Sequence, residues 1–323
     1  MLISFLPAGI GDCALLQFAG GAFNILVDAG PSKPGDTAQR LIEHLQRLLP
    51  NGLIDIAIIT HHDDDHIGGF MGLFAADSPL RIDQLIFNAP ALVRMFLSNS
   101  TTQKCSPRQG YLIGERKRPR HHEVVTAGQR IPCFGDQVEL VFLSPTPELV
   151  RRYGKLVDSS QPVKISARKP FRPYAELKQE EDRFSEDTSR SNALSLAFEV
   201  RFGARTWLFL GDAWPSTVTA SLDQLYGEDK PAYELVKLSH HGSDGNTSAE
   251  LLARFSCLDY VVPTNGQRHH PQAQALRRVL DACADSPPRF HFPARTVELE
   301  HLLKAYGDYV VYPQADELLQ FPD

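Results

Sequence analysis

No stretch of this sequence approaches the roughly 20 consecutive apolar residues that a membrane-spanning helix requires. Positive charge is also scarce: 33 Lys and Arg stand against 39 Asp and Glu, a formal net charge of −6. That balance argues against a protein built to coat duplex nucleic acid, although a local basic groove is compatible with it. No CxxC pair occurs. The five cysteines (Cys13, Cys105, Cys133, Cys257 and Cys283) are odd in number and far apart, so they read as reduced thiols of a cytosolic protein. The opening MLISFLPAGIGD lacks a basic n-region, and Asp12 breaks its apolar run. A first strand is expected there rather than a signal peptide, with the cytoplasm as the default compartment and no membrane partner. No internal repeat is visible.

What is there suits one globular unit. The chain has 323 residues, 42% of them hydrophobic and 22% charged, enough to bury a sizeable core. Strands are expected at Leu2–Phe5, Asp12–Phe18 and Phe23–Asp28, with a hairpin turn at Gly20-Gly21. Leu41, Leu45, Leu48 and Leu49 recur at helical spacing over 37–49, and Asp36 or Thr37 would cap that helix. Further strands are expected at Ile54–Thr60, Val138–Leu143, Leu194–Val200, Thr206–Leu210, Leu235–Ser239 and Tyr260–Pro263. A helix capped by Thr247 and Glu250 and another opened by Pro271 follow the last strands. Residues 146–190, rich in charge, are expected to form an insertion or lid within the single domain 1–323. Two sheets between helix layers would accommodate this order.

The chemistry concentrates in Thr60–Gly69. His61-His62-Asp63-Asp64-Asp65-His66 is an unbroken run of potential metal ligands at the end of a buried apolar strand. Crowding three carboxylates costs repulsion that a divalent cation relieves. Gly68 and Gly69 then allow close backbone approach. Asp212, in LFLGDAW, follows a second buried strand and is placed to bridge two cations. His240 and His241, in KLSHHGSDG, follow a third strand, where one of them can complete a second metal site.

These segments resemble the metallo-β-lactamase superfamily. They are most similar to the branch containing the nuclease-like domain of DNA-internalisation competence proteins. The resemblance is carried by Gly11-Asp12, Asp28-Ala29-Gly30, His61 to Gly69, Leu210-Gly211-Asp212, His240 to Ser243 and His269-His270-Pro271. It implies an α+β fold, a four-layer αββα sandwich with its site at one edge. It also implies ligands: His61 and Asp63 on one metal, Asp65 and His66 on the other, Asp212 bridging, and His241 joining the second metal. His240 is then left to support a ligand or contact substrate.

The sequence departs from the wider superfamily where Asp63 replaces a histidine. Leu143–Pro147 also supplies no third-motif histidine, for which His121 or His122 would have to substitute. The mixed donors suit two divalent ions, Zn2+ or Mn2+. Asp65, His240 and His270, with Arg268 as a cationic donor, are the candidate catalytic residues, and Asp28 is expected to support the ligands. The expected activity is that of a metallo-hydrolase, a phosphodiesterase or nuclease acting on nucleic acid or a nucleotide. The alternatives are a small-ester, lactone or phosphorylcholine-type esterase, and a metal-binding remnant. Arg116–Arg120 and the group Arg168, Lys169, Arg172, interleaved with Phe171 and Tyr174, would track a polyanion.

Overall fold

The computed structural model describes residues 1–32, 37–89, 119–154 and 171–322. Six strands open the first sheet: β1 (Leu2–Phe5), β2 (Ala14–Phe18), β3 (Phe23–Val27), β4 (Leu53–Ile58), β5 (Arg81–Ile86) and β6 (Arg120–His121). The second sheet holds β7 (Arg130–Cys133), β8 (Val138–Ser144), β9 (Ala197–Phe202), β10 (Arg205–Phe209), β11 (Leu235–Lys237), β12 (Asp259–Val261), β13 (Arg289–His291) and β14 (Val310–Val311). The last strand, β15 (Leu319–Pro322), returns to the first sheet and pairs with β1. The spatial orders are β15-β1-β2-β3-β4-β5-β6 and β14-β13-β12-β11-β10-β9-β8-β7.

Alternation along the strands explains the layering, because successive side chains point to opposite faces. Ile25 and Val27 enter a core shared with Phe198 and Phe209 of the other sheet, while Leu26 faces the helix Thr37–Leu48 through Leu41 and Leu45. Trp207 and Phe209 face the same inter-sheet core, and Leu208 and Leu210 turn to the helices Pro215–Tyr226 and Ala273–Ala282. Each sheet is therefore apolar on both faces, and the order helix, sheet, sheet, helix is the αββα sandwich. Among the described residues no helix is long and apolar enough to cross a membrane.

Several boundaries differ from expectation for identifiable reasons. The strands end one to three residues before the ligand-bearing turns, because Thr60, Leu210 and Ser239 have left their ladders. The cap of the helix Ala249–Ala253 is Ser248, whose hydroxyl accepts from Leu251 N at 3.1 Å; Thr247 instead offers its carbonyl to Arg278 at 2.8 Å. Pro271 precedes its helix, which begins at Ala273 behind Gln272. The expected cap at Asp36 or Thr37 lies outside the described side chains. Cys13, Cys133, Cys257 and Cys283 are free thiols, and Cys105 lies outside the described residues.

Candidate metal centre

In both sheets the strands that carry candidate ligands run parallel, so their carboxyl ends open on the same side. β3, β4 and β5 pair in parallel in one sheet, and β10, β11 and β12 in the other. Asp28 follows β3, His61 follows β4, Asp212 follows β10, and His240 and His241 follow β11. The turn after β4 is pinned from below: Asp12 N donates to Asp65 O at 3.1 Å, Ala29 N to His66 O at 2.9 Å, and Gly69 N to Gly30 O at 2.9 Å. The approach is so close that a Cβ on Gly69 would run into the carbonyl of Ala29, and one on Gly68 into Ser32 N. His240 and His241 take left-handed backbone angles, φ 47° and 52°, before Gly242 at 79°. Such residues cost about 1–3 kcal/mol each and persist where the surroundings enforce them. Here the tight turn directs both rings toward Asp212 and Asp65.

Four imidazoles share one mode of attachment. His66 Nδ1 lies 2.8 Å from Asp28 Oδ2, and His241 Nδ1 lies 2.8 Å from Pro263 O. His61 Nδ1 is 3.1 Å from Thr60 Oγ1 and 3.4 Å from Ser195 Oγ, and His240 Nδ1 is 3.0 Å from Asn246 Oδ1. Outward anchoring fixes the tautomer with hydrogen on Nδ1 and turns each Nε2 inward. There His61 Nε2 lies 3.5 Å from Asp63 and 3.7 Å from Asp212, while His66 Nε2 is 3.3 Å from Asp212. His241 Nε2 is 3.7 Å from Asp65, and His240 Nε2 is 3.8 Å from Asp212.

The carboxylates are held just as firmly. Asp28 accepts from Thr60 N and Thr60 Oγ1, both at 2.8 Å. Ser191 Oγ donates to Asp63 at 2.5 Å, and Asp212 N donates to Ser195 Oγ at 2.9 Å. Beneath the ligands, buried Lys237 contacts the Asp12 carboxylate and donates to Gly211 O at 2.8 Å.

Electrostatics and orphaned atoms agree on what fits. Burial pushes the Asp63 carboxyl up, but His61 and Ser191 beside it bring it down to about 2. Burial likewise raises Asp212, and the neighbouring His66 and His240 outweigh it, leaving the acid well below its usual range. Burial would depress His241, yet Asp12, Asp65 and Asp212 drive it up to about 9, and the same carboxylate field raises His66. Without metal, protons on these rings stand where cations would. His61 Nε2, His66 Nε2, His241 Nε2 and Asp212 Oδ1 are buried and have no hydrogen-bond partner. Buried polar atoms are rarely left this way. His61, His66 and Asp212 offer donor atoms within 4.8 Å of one another, as do Asp65, His66 and His241. The donor set therefore fits divalent cations.

The structure brings His61, Asp63, Asp65, His66, Asp212, His240 and His241 together. His270 joins them, its ring 5.0 Å from that of His240 and 5.8 Å from that of His241. Burial, with both rings close by, pushes His270 well below its ordinary value. Arg268 reaches Asp65 at 3.7 Å from an exposed position. His121 and His122 do not substitute for a third-motif histidine: they belong to edge strand β6 and the residue after it, outside every cluster of potential ligands among the described residues. The basic groups are also diminished. Arg120 pairs with Asp83 at 2.7 Å and Arg172 with Glu180 at 2.6 Å, while Arg116, Lys117, Arg118, Arg168 and Lys169 lie outside the described residues. Phe171 packs edge-on against Tyr306, Tyr174 donates to Asp281 at 2.8 Å, and both rings are half-buried against the core. Sequence reasoning missed Thr60, Ser191, Ser195, Lys237 and Asn246, and Asn192, whose amide donates to Asp187 at 2.7 Å and lies 3.4 Å from His240 Nδ1. A polar residue at a strand end is too common a signal to single them out.

Residues 6–79 match the family described as the Metallo-beta-lactamase superfamily. No curated protein matches the sequence. Among solved structures the chain is similar to Zn2+-bound PqqB from Methylobacterium extorquens (12% identity, 100% of each chain covered, TM-score 0.48). It is similar to a diphosphatase from the PhnP family (12% identity, 100% of this chain and 97% of that one, TM-score 0.46). A third is the metallo-beta-lactamase fold protein YhfI from Bacillus subtilis (10% identity, 100% of each, TM-score 0.44).

Proposed function

The chain has the metallo-β-lactamase fold, and from the donors gathered at its strand ends we propose that it is a metal-dependent hydrolase of phosphodiester bonds in a nucleotide or nucleic acid. One observation carries the reading: three imidazoles present buried, unpartnered Nε2 atoms toward Asp212 and Asp65 while their Nδ1 atoms are anchored outward. His61, Asp63 and Asp212 would hold one ion, and Asp65, His66, Asp212 and His241 the other. Zn2+ and Mn2+ both suit this mixture of imidazole and carboxylate. When bound, such ions polarise the scissile group and lower the pKa of water toward neutrality.

The chain's own residues supply the rest. Arg268, 62% exposed at the mouth, presents a guanidinium to the non-bridging oxygens of a phosphodiester, where charge builds during cleavage. His240, fixed by Asn246 and partly open to solvent, points Nε2 at the same space. His270, half-buried with its ring 5.0 Å from that of His240, faces the same space and is a further candidate for handling a proton there. A diester is favoured over a small neutral ester because the exposed side chain at the mouth is a cation.

The test is hydrolysis of bis(p-nitrophenyl) phosphate, single-stranded DNA and RNA by the Zn2+- or Mn2+-loaded protein. An Asp65→Ala, His66→Ala variant is the control. Cleavage of any of the three that the variant lacks supports the reading, and identical behaviour of the two proteins on all three sinks it. Binding that weakens steeply with salt marks a nucleic-acid substrate, because it reports phosphate contacts.

A further inference from the structure

We propose that Lys237 is a resident counter-cation that keeps the centre assembled while it is free of metal. In what it says of metal the inference rests on the two-ion reading above; in what it says of the metal-free state it does not.

Lys237 ends β11 and is 3% exposed. A lysine is almost never that deeply buried unless paired. Its ammonium contacts the Asp12 carboxylate, donates to Gly211 O at 2.8 Å and lies 3.9 Å from Asp212 Oδ1. Asp12 belongs to a third cluster of potential ligands, with Asp28 and His66, and the ammonium occupies its Asp12 side. Asp12 also lies 3.1 Å from His241 Nδ1 and 3.7 Å from His66 Nδ1. The Lys237–Asp12 pair thus ties the second sheet to the β1–β2 turn of the first, directly beneath the ligand histidines.

Charge gives the pair its role. Five carboxylates converge here, those of Asp12, Asp28, Asp63, Asp65 and Asp212. Two divalent ions supply four positive charges and Lys237 the fifth, so the loaded centre is balanced. Emptied of metal, the same carboxylates repel one another, and the buried ammonium opposes this together with protons taken up by the neighbouring imidazoles.

A filler and a counter-cation respond differently to removal. If Lys237 only fills space, its loss lowers the melting temperature equally with and without metal. If it is a counter-cation, its loss weakens the metal-free protein most, and metal restores the deficit. The experiment compares thermal midpoints in excess EDTA and in excess Zn2+ for wild type, Lys237→Met, Asp12→Asn and the double variant. Lys237→Met is expected to melt lower than wild type in EDTA and to regain most of the difference in Zn2+. The double variant, with neither charge, is expected to recover the EDTA midpoint. Equal losses in both conditions, or no loss in EDTA, overturn the proposal.

Should Lys237→Met fail to fold in either condition, the Asp12→Asn background decides. There the ammonium stands unpaired beside the ions, and its removal is expected to tighten Zn2+ binding about tenfold or more. Unchanged or weaker binding overturns the proposal. A wild-type protein that takes up no metal sinks the two-ion reading instead, and the EDTA comparison still tests Lys237.

Discussion

Asp28→Asn removes a charge without changing size, and on the two-ion reading it should weaken metal binding at both positions. Asp28 is fully buried with φ 55°, a left-handed conformation that Asn tolerates as well as Asp, so the backbone is not strained by the change. One carboxylate oxygen accepts from Thr60 N at 2.8 Å; the other faces Thr60 Oγ1 and His66 Nδ1, both at 2.8 Å. An amide cannot satisfy all three. With its NH2 toward Thr60 N, two donors oppose each other in the interior, at about 1–3 kcal/mol. With its NH2 toward His66, the imidazole must move its proton to Nε2, the atom that faces Asp212 at 3.3 Å and would ligate. His66 belongs to both ligand clusters at the centre, so both ions feel the loss. Changes to the partners of ligand histidines weaken metal binding by about 10- to 100-fold, or about 1.4–2.7 kcal/mol. Competition against a chromophoric chelator measures this directly, with near-UV circular dichroism to verify folding. A folded variant that keeps both ions at wild-type affinity would refute the role of His66 and the anchoring argument with it.

Three further outcomes are expected. Gly69→Ala forces a methyl group into the Ala29 carbonyl and should lower unfolding free energy by about 3 kcal/mol in urea titration; an unchanged midpoint contradicts the close approach. Arg268→Ala should leave metal content intact and reduce kcat/KM for a phosphodiester about tenfold or more, whereas undiminished efficiency removes the guanidinium from substrate binding. Away from the centre, burial raises Asp259, but His291 at 2.7 Å and Arg289 bring its carboxyl down to about 2. A carboxyl depressed by folding stabilises above its unfolded value, 3.8 here, and loses that contribution as pH falls toward about 2. Asp259→Asn should therefore flatten the acid limb of the stability profile over that window, and an unaltered limb would show the pair to be inert.

The sequence displays what periodicity and local crowding can encode. The run His61–His66 is legible because such a density of ligand side chains beside an apolar strand has few other uses. The sandwich is legible because β3, β4, β10 and β11 are apolar on both faces. The helix Pro215–Tyr226 went unrecognised, although Pro215 at its first position and Gly227 after its end mark both boundaries. Lys237 is hidden for a different reason: a lysine at a strand end ordinarily reaches solvent, and only the β1–β2 turn of the other sheet makes it an interior charge. Ser195 and Asn246 are equally silent, since their partners lie 134 and 6 residues away in directions that only the tertiary fold defines. The missing third-motif histidine is resolved the same way. No histidine moves in from β6. The segment before β9 supplies hydrogen bonds to the ligands through Ser191, to Asp63, and Ser195, to His61 and Asp212.

The ligands are divided between the sheets. The turn after β4 comes from one, and the turns after β10 and β11 from the other. Ions seated there would act as rivets across a seam. At the far end of the sandwich the seam is clasped by aromatic rings, Phe18 on Phe202 at 5.3 Å and Phe23 on Phe134 at 5.2 Å. Stripping the rivets would leave the Lys237–Asp12 pair as the tie across that mouth while the rings keep the other shut, so the reactive geometry there depends on ions and ammonium together.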